Sequence, residues 1–203
     1  MLSVLPATQG HFRLESGYHT HLWLELDALF ADPVKIAPFV MRLAEKLHRH
    51  RASAVCGPLV GGAFLAQALS QTLNIQFCYT QPLPRTAAGL FAADYRLPSA
   101  LRHIVAGNRL LVVDDVISAG SSARATISAV RAGGGSVSAV GALLTLGDIG
   151  VEHFRVERMP LEALERHAFE MWTPEECPLC AASVPLEDRA ALPGRHDAGS
   201  SSA

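Results

Sequence analysis

Between about residues 32 and 140, apolar positions switch repeatedly between helical spacing and short extended runs. Asp32 and Pro33 open a stretch with Ile36, Phe39, Val40, Leu43 and Leu47 on one helical face, and Pro38 moves its expected first turn toward Ala37. A short strand, Ser53–Cys56, precedes a loop, Gly57–Gly62. Helical spacing returns at Phe64, Leu65, Ala68, Leu69 and Leu73, and Ile75–Thr80 has the aromatic and branched residues of a strand. Arg109–Val113 is apolar without alternation, as a strand buried on both faces must be, and it ends in two acids. Ser121–Ala132 reads as a helix stopped by Gly133–Gly135, and Val137–Leu146 as the next strand. This alternation predicts an α/β fold, a central, mainly parallel sheet flanked by helices.

The remaining segments lack such regularity. Residues 81–108 hold three prolines and no sustained period, which is long for a connection and predicts a loop that covers a site. Beyond Gly150 the alternation stops, and the more charged residues 151–188 are expected to join residues 10–30 in a hood outside the sheet. The Ser, Gly and Ala-rich tail, 189–203, is expected to be disordered. With 203 residues and 49% hydrophobic content the expectation is one domain over 1–188, its core about 32–148.

Charge and cysteine content narrow the function. A net charge of −2, with 17 Lys and Arg spread without runs, argues against nucleic acid or acidic lipid as partner. No apolar stretch approaches the roughly 20 residues of a membrane span, and the N-terminus lacks a secretory pattern, so a cytoplasmic location is expected. Four cysteines do not make a disulfide framework in such a chain; Cys56 and Cys78 sit in apolar runs and read as core. Cys177 and Cys180 have the spacing of half a zinc site, but no second pair stands at metal-ligand spacing, so no metal held by the protein itself is expected.

The chemistry concentrates in Leu110–Ser122. In an open parallel sheet, ligands bind beyond the carboxyl ends of strands, which is where Asp114 and Asp115 are predicted to lie. Carboxylates accept hydrogen bonds from vicinal hydroxyls, and their charge suits a cationic transition state at a sugar carbon. The turn Ser118, Ala119, Gly120, Ser121, Ser122 offers hydroxyls and backbone amides at a helix N-terminus, a site for a phosphate dianion. Neither the Gly-Lys-Ser/Thr of a nucleotide-binding loop nor a G-x-G-x-x-G fingerprint is present.

This segment resembles the phosphoribosyl diphosphate signature of type I phosphoribosyltransferases, and within them the chain is most similar to orotate phosphoribosyltransferases. Gly10–Gly17 resembles the family's N-terminal G-H-F-x-L-x-S-G, Cys56–Gly62 its pyrophosphate loop, and Trp172–Cys180 the tail of one bacterial branch. The resemblance implies the type I phosphoribosyltransferase fold with a hood from both terminal segments, and transfer of ribose 5-phosphate from phosphoribosyl diphosphate to a nucleobase nitrogen in nucleotide, especially pyrimidine, metabolism. It implies that Asp114 and Asp115 hold the ribose hydroxyls, Ser118–Ser122 the 5-phosphate, and Leu59, Val60, Gly61 and Gly62 the pyrophosphate. Ser16, Gly17, Tyr18 and His19 would face the base, Mg²⁺ would be bound mainly through the substrate diphosphate, and the protein would be a homodimer. The family's basic loop with Lys and His is replaced here by Thr80–Arg85, so Arg85 and Arg96 are the candidate loop cations. That replacement leaves open a regulatory protein that binds phosphoribosyl diphosphate without catalysis, and Thr145-Leu-Gly-Asp148, where the family's orotate enzymes often carry Asp-Arg, leaves open a transferase for a base other than orotate.

Overall fold

The computed structural model describes residues 6–84 and 89–189. An antiparallel ribbon of β1 (Ala7–Arg13) and β2 (His19–Leu24) comes first, followed by a short α1 (Asp27–Phe30) and by α2 (Pro33–Leu47). The alternating part runs β3 (Ala54–Pro58), α3 (Gly61–Leu73), β4 (Gln76–Pro82), β5 (Tyr95–Arg96), α4 (Arg102–Val105), β6 (Arg109–Ile117), α5 (Ser121–Ala132), β7 (Ser136–Leu146), α6 (Ile149–Val156) and β8 (Leu161–His167), with α7 (Pro178–Ala181) near the end. The central sheet has the order β5-β4-β3-β6-β7-β8, parallel throughout except at β5. The α/β architecture is thus the one the hydrophobic pattern predicts.

Neighbouring residues on the inner strands enter opposite cores. Val55, Leu111, Val113 and Leu143 pack with Leu43 and Leu47 of α2 and Leu65 and Leu69 of α3. Cys56, Leu110, Val112 and Val140 pack with Ile127 and Val130 of α5 and Phe154 of α6. Burial on both sides explains the absence of alternation in β6, since a polar residue at any of these positions would lose its water on one face or the other.

The chain leaves β3 to one side, for β4, and later returns to its other side with β6. The crevice between the carboxyl ends of β3 and β6 is therefore a topological switch point, the place where such sheets bind ligands.

Several boundaries differ from the sequence expectation. Helix α2 begins at Pro33, because Asp32 caps it by accepting from the amides of Val34 and Lys35; Pro38 lies inside the helix, where the buried Ile36, Val40, Leu43 and Leu47 outweigh one missing backbone bond. Strand β6 does not stop at the acids but continues to Ile117, paired with β7 as far as Thr145. Within 81–108, β5 pairs with the end of β4 and α4 precedes β6. Residues 149–167 are α6 and β8, the latter pairing in parallel with β7, so the sheet reaches past 148 and only the segment after His167 joins the ribbon.

That union is made by backbone. His19 and Trp172 exchange amide-to-carbonyl bonds at 2.8 and 3.0 Å, Arg13 N–H donates to Glu187 O at 2.9 Å, and Glu187 N–H donates to His11 O at 2.8 Å. Arg189 stacks on Phe12 at 4.8 Å. The rest of the tail, 190–203, and Arg85 lie outside the described residues.

Candidate functional site

A cavity of about 810 Å³ opens at the switch point, between the sheet and the ribbon. Asp114 and Asp115 both line it, together with Leu59, Val60 and Gly61 from the β3–α3 turn and Ser118, Gly120, Ser121 and Ser122 from the β6–α5 turn. Gly62 and Ala119 support it from behind: a Cβ on Gly62 would come within 2.7 Å of Asp114 Oδ1, and Ala119 is fully buried.

Two helix N-termini face this space. Helix α5 starts after Gly120, whose φ of +80° is a left-handed turn that glycine adopts without strain, and no side chain caps it. Its first backbone bond runs from Arg124 N–H to Gly120 O, which leaves the amides of Ser121, Ser122 and Ala123 without helical partners. Ser121 Oγ is buried with no hydrogen-bond partner. Helix α3 likewise follows Val60 without a side-chain cap. Partial positive charge therefore meets the cavity from two directions, an arrangement for two separate anionic groups.

The carboxylates are set apart by the pleat of β6. Asp114 follows the face of Val112 and is only 4% exposed; its Oδ2 accepts from Ser122 Oγ and its Oδ1 from Asp115 N–H at 3.1 Å. Burial first, and the Asp115 charge second, push the Asp114 carboxyl well above the usual carboxylate range, while the Ser122 hydroxyl acts against this rise. Asp115 turns toward α3, where a Cβ on Gly61 would stand 2.3 Å from its Oδ2.

The hood supplies residues that the sequence reading overlooked. Arg13, Glu15 and Asp188 line the cavity, as do Asp94 and Tyr95. Tyr95 Oη donates to Glu15 Oε1 at 2.7 Å, joining the sheet edge to the ribbon's turn, and burial beside Glu15 raises the phenol's pKa. Arg13 pairs with Asp188, and its Nε is buried without a hydrogen-bond partner. Glu15 lies inside the N-terminal stretch that carries the resemblance, but nothing in the sequence draws attention to Tyr95 or Asp188.

Of the four candidate base-site residues, only Ser16 lines the cavity. Gly17 turns the chain at φ +88° and Tyr18 packs edge-on against Phe91. The ring of His19 faces His11 and Cys180 instead. Arg96 is exposed on β5 and lies outside the cavity lining. A smaller chamber of about 180 Å³ adjoins the cavity at Asp115 and Ser118 and is walled by Leu14, Leu22, Trp23, Leu146 and Phe169.

Comparison with known proteins fits this geometry. Residues 34–146 match the family of the phosphoribosyl transferase domain. The orotate phosphoribosyltransferase of Caldanaerobacter subterraneus subsp. tengcongensis is 33% identical over 181 residues, covering 88% of this chain and 87% of that protein. Among solved structures, the orotate phosphoribosyltransferase of Aeropyrum pernix superposes with a TM-score of 0.60 at 23% identity, over 79% of this chain and 87% of that one. That of Mycobacterium tuberculosis, solved with 5-phospho-alpha-D-ribosyl 1-diphosphate, gives 0.55 at 21% identity over 70% and 80%. Asp114 and Asp115, the β6–α5 turn and the Gly61–Gly62 start of α3 all fall inside the matched span, and the chain belongs to the phosphoribosyl transferase domain family.

Proposed function

We propose that the chain transfers ribose 5-phosphate from phosphoribosyl diphosphate to a ring nitrogen of a nucleobase, with orotate as that base. The observation that carries this reading is the pair of uncapped helix N-termini flanking Asp114 and Asp115 in one cavity. The 5-phosphate would rest on the amides and hydroxyls of Ser118–Ser122, the diphosphate on the backbone of Leu59–Gly62, and the diol on the two aspartates. As diphosphate leaves C1, the sugar carbon gains positive character, and the aspartates stabilise that charge by position alone. The apolar chamber walled by Trp23 and Phe169 would take the base.

The lining carries the carboxylates of Glu15, Asp94, Asp114, Asp115 and Asp188, against the single guanidinium of Arg13 among the described residues. A polyphosphate would be repelled from such a surface unless it brought cations with it. That fits Mg²⁺, which binds through one or two carboxylates plus substrate phosphates and would neutralise the departing diphosphate; Asp114 and Asp115 would share it. Arg13 takes the place of the family's loop lysine in this reading. The protein would be a cytoplasmic homodimer, with Val34 and Met41 of α2 and Phe64 of α3, exposed in the single chain, as apolar surface for pairing. No helix among the described residues is long and apolar enough to cross a membrane.

Calorimetric titration of phosphoribosyl diphosphate with Mg²⁺, followed by diphosphate release on adding orotate, tests the proposal. Saturable binding and orotate-dependent release are expected. An absence of binding heat would refute it, and release with another base alone would refute the choice of orotate.

A further inference from the structure

Outside this cavity, four side chains from three parts of the chain converge. His11 lies on β1 where its register with β2 shifts, His19 opens β2, Cys177 precedes α7, and Cys180 sits within it. One ligand atom from each falls within 4.8 Å of all the others. His11 Nε2 stands 3.1 Å from His19 Nδ1, 3.4 Å from Cys177 Sγ and 3.7 Å from Cys180 Sγ, and Cys180 Sγ is 3.2 Å from His19 Nδ1. A tetrahedral Zn²⁺ with bonds of about 2.0 Å to nitrogen and about 2.3 Å to sulfur sets edges of roughly 3.3 Å between nitrogens and roughly 3.5 Å between nitrogen and sulfur. The observed separations scatter around those edges.

The orientation of His11 supports a ligand role. Its Nδ1 is 2.9 Å from the Val184 carbonyl, which can only accept, so a neutral ring carries its proton there and turns the Nε2 lone pair toward the cluster. Metal-bound histidines are held by such an outer hydrogen bond, which fixes both tautomer and ring plane. His11, His19 and Cys177 are buried and Cys180 is exposed, which gives an ion a way in. The surrounding hood is a two-stranded ribbon and a mostly irregular segment in which the described residues form one helix of four residues, a unit too small to hold itself by apolar burial.

We propose that His11, His19, Cys177 and Cys180 form a closed, structural Zn²⁺ site that staples the segment after His167 to the ribbon and so holds Arg13, Glu15 and Asp188 over the cavity. Binding converts both thiols to thiolates and releases two protons. All four positions belong to protein ligands, so the ion has no open place for substrate. The sequence offered only half a site at Cys177 and Cys180, and so an expectation of no protein-held metal, because the two histidines stand on adjoining strands, eight residues apart, rather than at a helical or knuckle spacing.

The test is elemental analysis of the full chain, purified without a metal-chelating column, together with spectroscopy after exchange of the metal for Co²⁺. About one Zn²⁺ per chain is expected, and Co²⁺ should give intense tetrahedral ligand-field bands with a thiolate charge-transfer band. Cys180→Ser, at the exposed ligand, should weaken metal binding more than about tenfold and diminish that charge-transfer band. If the reduced, unsubstituted chain neither retains zinc nor yields these bands with Co²⁺, the site does not exist. Cobalt bands without thiolate charge transfer would place the ion elsewhere and equally overturn the proposal. None of these readouts depends on transferase activity.

Discussion

Asp114 lies almost wholly out of water in the second half of β6, with a second carboxylate beside it and one serine hydroxyl donating to it. Its pKa in the folded chain is raised by burial above the value of about 3.9 expected when unfolded. Over the interval between those two values, the folded chain keeps a proton that the unfolded chain has released. Stability is therefore full below the interval and falls as pH rises through it. Replacing Asp114 with Asn removes the ionisation, so urea midpoints measured from about pH 4 upward should decline less in the variant than in the parent. A parent curve no steeper than the variant's would contradict the assignment. In turnover, Asp114→Asn and Asp115→Asn should each lower kcat by about 10²- to 10³-fold, the loss typical of one electrostatic contact to a transition state. Two glycines near the same carboxylates separate site from scaffold. A methyl at Gly61 meets the movable end of Asp115, whereas one at Gly57 would come 2.0 Å from the backbone oxygen of Gly62. Gly61→Ala should then weaken phosphoribosyl diphosphate binding about tenfold with less than about 1 kcal/mol of stability lost, while Gly57→Ala should cost about 3 kcal/mol by urea denaturation.

Strand β4 and helix α5 are joined below the cavity by Thr80 and Thr126, both fully buried, whose hydroxyls lie 2.7 Å apart. Neither hydroxyl has access to water, so Thr126→Val strands Thr80 and should destabilise by about 1–3 kcal/mol. The double change Thr80→Val with Thr126→Val removes both polar groups and should recover most of that loss, which a double-mutant cycle in urea would measure. The boundaries of α5 itself, Ser121–Ala132, were legible in the sequence because the small-residue turn and the glycine stop are both local signals. The acid pair and the Ser118–Ser122 turn stood out for the same reason, since strand, acids and turn are consecutive residues. Strand β8 was not. Its sequence, LEALERH, is charged and spaces Leu161 and Leu164 as a helix would; it is strand because β7 offers it an edge and because the buried Glu162 finds Arg49 and His50. Likewise Arg13, Glu15, Tyr95 and Asp188 reach one cavity from three distant stretches of chain, and His19 turns away from it toward a partner eight residues earlier. Such meetings are products of tertiary packing, which no local period encodes.

At the scale of the whole molecule, the protein divides into a sheet that is buried on both faces and a hood held largely by backbone bonds between its two ends. The strands β3, β6 and β7 open only when both helical layers separate, whereas β1 and β2 form a ribbon that is half-exposed over much of its length. Local opening free energies should follow that difference, because they scale with the apolar surface that an opening exposes. Hydrogen exchange followed by mass spectrometry should therefore place the β1–β2 amides well ahead of those in β6 and β7. Ligand changes the comparison in a specific way. The ribbon's turn contributes Glu15 and Ser16 to the cavity, and Phe91 N–H donates to Ser16 O at 2.8 Å, tying the turn to the segment that leads into β5. Phosphoribosyl diphosphate with Mg²⁺ would bind between this turn and the sheet, so it should slow exchange in peptides spanning Arg13–Tyr18 and Leu90–Tyr95 while leaving β7 unchanged. Protection confined to Ser118–Ser122, with none in the ribbon, would mean that the hood takes no part in holding the substrate and that the cavity is closed by something other than this chain's own N-terminal turn.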